Sequence, residues 1–115
     1  MTVKWTPTAK KQWRKAAKYI QKKFGDKSRV AFMQEVLQTS LLLGQYPNTG
    51  KIEPYLANQP FLYRSIVVSR LNKIVYRTHD NIVYIVALWD TRREPKKQAQ
   101  QTIESLNLES EILKS

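Results

Sequence analysis

The segment LYRSIVVSRLNKIVYRTHDNIVYIVALWDTRREP, residues 62 to 95, decides how the rest of the chain is read. Three runs inside it, Leu62 to Ser69, Lys73 to Thr78 and Ile82 to Trp89, are rich in Val, Ile and Tyr, whose branched or aromatic side chains suit a pleated surface. Only Arg70-Leu71-Asn72 and His79-Asp80-Asn81 separate them. Connections this short and polar predict an antiparallel meander. The last run ends abruptly. Ala87-Leu88-Trp89 gives way to Asp90, then to Arg92 and Arg93, Glu94 and Pro95. If extended geometry persisted, the adjacent arginines would point to opposite faces. One could then pair with Asp90 or Glu94 while the other faced a target. Parity places Arg93 on the face of Trp89 and Ala87, unless a turn at Asp90-Thr91 breaks the count. Pro95 cannot continue the strand and suits the start of a helix, predicted from Lys96 to about Leu106. The tail NLESEILKS either extends that helix or frays.

Upstream the period changes from two to 3.6. From Pro7 to Phe24, the apolar residues Ala9, Trp13, Ala16, Ala17, Ile20 and Phe24 fall three or four apart and make one helical stripe. The opposite face carries Lys10, Lys11, Arg14, Lys15, Lys18, Lys22 and Lys23. Thr6 or Thr8 can cap this helix, Pro7 is tolerated in its first turn, and Gly25 stops it. A second helix is predicted from about Lys27 to Leu43. Asp26 or Ser28 caps it, Val30, Phe32, Met33, Val36, Leu37 and Leu41 supply its apolar positions, and Gly44 ends it. Two helices joined by so few residues form an antiparallel hairpin. Val3-Lys4-Trp5 reads as a short edge strand. Residues 45 to 61, QYPNTGKIEPYLANQPF, read as one long structured loop, of a length that is often functional.

Helices followed by strands in 115 residues imply a single α+β domain. The expected architecture is an N-terminal helical hairpin packed on one face of a small antiparallel sheet, made of the short N-terminal strand and the three-strand meander. A short C-terminal helix follows. The core spans about residues 3–96, with 97–115 as helix and tail. The second face of the sheet is expected to be at least partly free to meet a partner.

Composition narrows the function. The chain has no cysteine and one histidine, His79, so disulfides, thiolate metal sites and multi-histidine sites are excluded. No metal and no cofactor is expected. No stretch approaches the roughly 18 apolar residues of a membrane span, and the first residues do not read as a signal peptide, so a cytoplasmic location without membrane contact is expected. Lys and Arg number 20 against 9 acids, a net charge of +11. Such a field favours polyanions, either nucleic acid or an acidic protein.

The order of these pieces resembles the RelE/ParE superfamily of toxins from type II toxin–antitoxin systems, the plasmid-stabilisation type. The matching residues are Trp5-Thr6-Pro7-Thr8-Ala9, Tyr19-Ile20, Phe24-Gly25, Pro47-Asn48-Thr49-Gly50, Glu53-Pro54, Tyr63-Arg64, Ile74-Val75-Tyr76-Arg77 and ALWDTRREP, from about residue 3 to 96. The resemblance implies a growth-inhibiting toxin silenced by a cognate antitoxin, acidic where it binds. RelE-like members cleave mRNA in the ribosomal A site; ParE-like members act on DNA gyrase and lack the nuclease residues.

Metal-free RNA cleavage needs a base for the 2′-hydroxyl, cations for the phosphorane oxygens and an acid for the leaving oxygen. By resemblance the nuclease candidates are Glu53 as base, with Arg64, Lys73 and Arg93. Each also has a structural reading: Glu53 orders its loop, Arg64 braces a strand end, and Lys73 deters strand pairing. The nuclease pattern is incomplete. No tyrosine or histidine follows Arg93, and Ile66 stands where a second strand lysine is expected. Arginine is a poor proton donor. The paired arginines before Pro95 look ParE-like, and this reading is favoured. Arg92 and Arg93, with Lys10, Lys11, Arg14 and Lys18 on the first helix, are the expected contacts to target or phosphate. A third reading is a nucleic-acid-binding module without toxicity, using the same helix face.

Overall fold

In the computed structural model, which describes residues 1–109, the chain runs β1 (Thr2–Trp5), α1 (Pro7–Phe24), α2 (Asp26–Gln45), β2 (Lys51–Ile52), β3 (Arg64–Val68), β4 (Asn72–His79), β5 (Ile82–Asp90) and α3 (Pro95–Leu108), with one 3-10 turn at Pro54–Leu56. The β4–β5 joint is a two-residue turn in which Asp80 (φ 49°) and Asn81 (φ 63°) both adopt positive φ. That backbone matches the twist of a hairpin, and Asp and Asn tolerate it better than other residues with a side chain. The meander β3–β4–β5 is antiparallel throughout.

The sheet order is β1-β5-β4-β3-β2. β1 pairs with β5 in parallel, Thr2 opposite Ile82 and Trp5 opposite Ile85, so the sheet is mixed rather than wholly antiparallel. β2 is a fifth strand: two residues of the expected loop pair with Ser65 and Arg64. The loop therefore contains a strand and a helical turn.

Thr6 accepts a hydrogen bond from the Ala9 amide at 3.2 Å and starts α1, with Pro7 in the first turn; Gly25, at φ 94°, ends it. Gly25, not Asp26 or Ser28, stands at the N-cap of α2, and no side chain caps that end. Gly44 does not stop α2, which continues to Gln45. It is small for a different reason. A Cβ there would lie 2.8 Å from the Met1 carbonyl oxygen and 3.0 Å from a Val3 methyl. β1 passes directly over this point, and the Met1 ammonium donates to the Gly44 carbonyl at 2.8 Å.

The hairpin packs Ala9, Ala17, Phe32, Val36 and Leu43 against Ile74, Tyr76, Val83, Ile85 and Leu88 of the sheet. Of the apolar positions predicted for α2, Val30, Leu37 and Leu41 are exposed. The buried row is Phe32, Val36, Ser40 and Leu43, offset around the helix. At Val75/Tyr76 the β4–β5 register shifts, with Val75 opposite Ala87 and Tyr76 opposite Ile85, so Val86 is the extra residue. The bulge lets Val86 and Ala87 both join the second core.

The second face, expected to be at least partly free, is covered in part by this second core, while Val67, in register with Lys73 and Trp89 on the same face, stays exposed. Tyr63, Val75, Tyr84, Val86 and Trp89 are covered by Ala99 and Leu106 of α3 and by Leu56 of the 3-10 turn. The cover is held by directed bonds: the Trp89 indole donates to Thr102 Oγ1 at 2.9 Å, and the Gln98 amide bonds both the N–H and the carbonyl of Asp90. At the end of α3, Glu109 accepts from the Thr8 amide at 3.0 Å and from its hydroxyl at 2.6 Å, joining α3 to the start of α1. Residues 110 to 115 of the tail lie outside the described residues.

Candidate functional site

The sequence-predicted residues divide among three places. On the α3 face, Glu53 and Lys73 meet. Glu53 caps the 3-10 turn, accepting from the Tyr55 amide at 2.9 Å. Its other oxygen accepts from Ser65 Oγ at 2.9 Å and lies 2.5 Å from Lys73 Nζ. The carboxylate is 0% exposed. Burial pushes its pKa up, but the bonds from Lys73, the Tyr55 amide and Ser65 together outweigh burial and hold it below the ordinary carboxylate range. Lys73 Nζ also sits 5.1 Å from the centre of the Trp89 ring.

Arg64 lies elsewhere. It pairs with Tyr76, whose ring belongs to the hairpin-side core, while Lys73 stands opposite Trp89 of the α3-side core. The two cations thus lie on opposite faces. They are also offset by three residues along the strands, about 10 Å at ~3.3 Å per residue. Arg64 donates to the Gly50 carbonyl at 2.8 Å. Next to it, the Tyr76 hydroxyl donates to the Pro47 carbonyl at 2.7 Å and accepts from the Gly50 amide at 2.9 Å. Burial raises the pKa of that phenol, so it stays a neutral donor. Gly50 is required here, because a Cβ would fall 2.7 Å from the Tyr76 hydroxyl and 2.8 Å from the Ser65 carbonyl.

The paired arginines occupy the opposite end of the sheet. A turn bonded from Arg93 N to the Asp90 carbonyl breaks the strand count. Arg92 donates to both Asp90 carboxylate oxygens at 3.1 Å and lies 5.8 Å from the Tyr19 ring of α1. The Arg92 bond is also the main reason the Asp90 carboxyl titrates below its ordinary range. Arg93 is exposed, and its side chain makes no hydrogen bond or ion pair among the described residues. Lys10, Lys11, Arg14 and Lys18 are all exposed on α1. No cluster of metal-ligating side chains occurs among the described residues, and no helix in them is long and apolar enough to cross a membrane.

One residue escaped the sequence reading. Arg77 of β4 is 5% exposed, and its Nε and Nη1 have no acceptor among the described residues. Its guanidinium carbon lies 3.8 Å from the centre of the Phe61 ring. The available signal was a cation directly after the apolar run Ile74-Val75-Tyr76, in the same strand and continuing its buried stretch.

A helical hairpin on a small mixed sheet, with a third helix after the last strand, is a fold shared with a toxin–antitoxin protein of known structure. A solved structure titled "Chromosomal ParDE TA system from P. aeruginosa" matches it with a TM-score of 0.65 and 19% identity, covering 78% of this chain and 95% of that one. The chain belongs to the ParE toxin family: the family model described as the ParE toxin of the type II toxin–antitoxin system, parDE, matches residues 3–95. Membership implies an antitoxin partner. No curated protein matches the sequence.

Proposed function

We propose that this toxin stops growth by binding a protein target, DNA gyrase, rather than by cutting mRNA, and that it acts in the cytoplasm. The observation that carries this reading is the state of Glu53. A general base must reach its proton and have a pKa near the working pH. Glu53 is sealed in the core, both oxygens are occupied, and its carboxyl is held below the ordinary range. Arg64 lies on the other face, so Arg64, Lys73 and Glu53 do not converge on one phosphate. Both arginines at the strand end are exposed; Arg93, whose side chain has no hydrogen bond or ion pair among the described residues, is assigned the target contact, with Arg92 bracing the turn through Asp90. Lys10, Lys11, Arg14 and Lys18 form a second cationic surface, suited to an acidic antitoxin or to the target.

The test is induced expression without antitoxin, followed by two assays. Inhibition of supercoiling by purified gyrase, with mRNA ends unchanged, is the expected result. Codon-positioned, translation-dependent mRNA cuts would replace this reading with ribosome-dependent nuclease action. Normal growth would remove the toxin assignment altogether.

A further inference from the structure

We propose that the pocket between Asn48 and Phe61 is a recognition site for a carboxylate side chain of a partner polypeptide, with Arg77 and Arg64 as its cations. The pocket encloses about 110 Å³ and is lined by Asn48, Phe61, Leu62, Arg64, Tyr76 and Arg77 among others. It lies where β4 runs past the start of β3: Arg64 pairs with Tyr76, and Arg77 has no strand partner on that side. This lets two arginines from opposite faces of the sheet reach one cavity.

The electrostatics are incomplete in the free protein. The ion pairs among the described residues are Lys73–Glu53, His79–Asp80 and Arg92–Asp90, so neither Arg64 nor Arg77 has an acid. Arg77 is almost wholly buried, two of its nitrogens have no partner among the described residues, and arginine cannot shed its proton to relieve the cost. The Phe61 ring covers one face of the guanidinium and satisfies none of its N–H groups. An anion entering the pocket would meet both needs at once.

The surroundings select the kind of anion. Exposed Phe61, Leu62, Ile52 and Tyr46 are the pocket's apolar walls or their immediate neighbours, Ile52 standing opposite Arg64. A polypeptide presenting one acidic residue between apolar ones covers such a surface and fills the pocket together. A phosphodiester strand needs a track of cations, and Arg64 and Arg77 are the cations lining this pocket. The site stands apart from Arg93 and does not depend on the gyrase reading.

The test follows the Arg77 Nε–H resonance of the full-length chain by NMR. The probe is the blocked tripeptide leucyl-glutamyl-leucine, with its glutaminyl counterpart, inorganic phosphate and a short oligonucleotide as separate arms. The expected result is a saturable shift with the glutamyl peptide and affinity lower by about tenfold or more with the glutaminyl one. A saturable response to phosphate or oligonucleotide without one to the glutamyl peptide would overturn the assignment, as would no response in any arm. Arg77→Met separates binding from structure. It removes an unpaired buried charge, so it should hold or raise Tm while abolishing peptide binding. A fall in Tm of more than about 5 °C would mark Arg77 as structural and overturn the proposal. Arg64→Gln should weaken the glutamyl peptide about tenfold with the fold intact; unchanged affinity would count against the site.

Discussion

Glu53 shows how a residue's neighbours decide its role. The sequence admits it as a base or as a loop brace, and the Lys73, Ser65 and Tyr55 bonds are those of a brace. Glu53→Gln should therefore lower stability, by about 2 kcal/mol in a urea melt. That is less than for a fully buried pair, because Lys73 is 22% exposed. The effect depends on pH with a definite sign. A carboxyl held below its ordinary pKa binds fewer protons folded than unfolded, so its contribution is complete above the ordinary carboxylate range and is lost as pH falls through the depressed value. The gap between wild type and Glu53→Gln should close on acidification; a gap constant down to pH 3 would contradict the assignment. Arg92 and Arg93 make a second contrast. Arg93→Ala should abolish gyrase inhibition with an unchanged melting curve. Arg92→Ala should loosen the Asp90 turn, measurable as a lower Tm.

At the scale of the element, glycine positions carry the information that pattern alone misreads. Gly25 ends a helix as its residue type implies. Gly44 looks the same in sequence but is a contact point under β1, and only the tertiary structure distinguishes them. Gly44→Ala should push β1 off α2 and cost about 1–3 kcal/mol in a denaturant titration. Equal stability would show that β1 gives way freely. The meander, both helices of the hairpin and α3 were legible because periodicity and turn chemistry agree over long stretches. The parallel pairing of β1 was not legible. Its partner lies some eighty residues away, and a four-residue strand carries no direction in its side chains. The exposed row on α2 was illegible for a related reason: Val30, Leu37 and Leu41 satisfy the same helical period as the buried row. Within the candidate site, Glu53 and Lys73 could be guessed as neighbours. Arg64's separation from them required knowing the β3–β4 register, which sets Arg64 opposite Tyr76, three residues from Lys73 and on the other face.

Across the whole molecule, α3 turns a two-layer arrangement into a covered sheet. It follows the 3–95 family match, yet it encloses Trp89 and ends in the Glu109 bonds to Thr8. Glu109→Ala removes two hydrogen bonds at the start of α1 and should lower stability by about 1–3 kcal/mol, with amide exchange in the first turn of α1 rising most. Exchange rising evenly through the protein would place the effect elsewhere. The seating of β1 has a further consequence, one of timing. A ribosome makes β1 first, but its pairing partner, Thr2 to Trp5 against Ile82 to Ile85, is made about eighty residues later. At roughly 5–20 residues per second, the first strand waits several seconds without a place to dock. A prematurely terminated chain that lacks β5 leaves β1 without its pairing partner and also lacks the Asp90–Arg93 turn, to which the target contact is assigned in the proposal above.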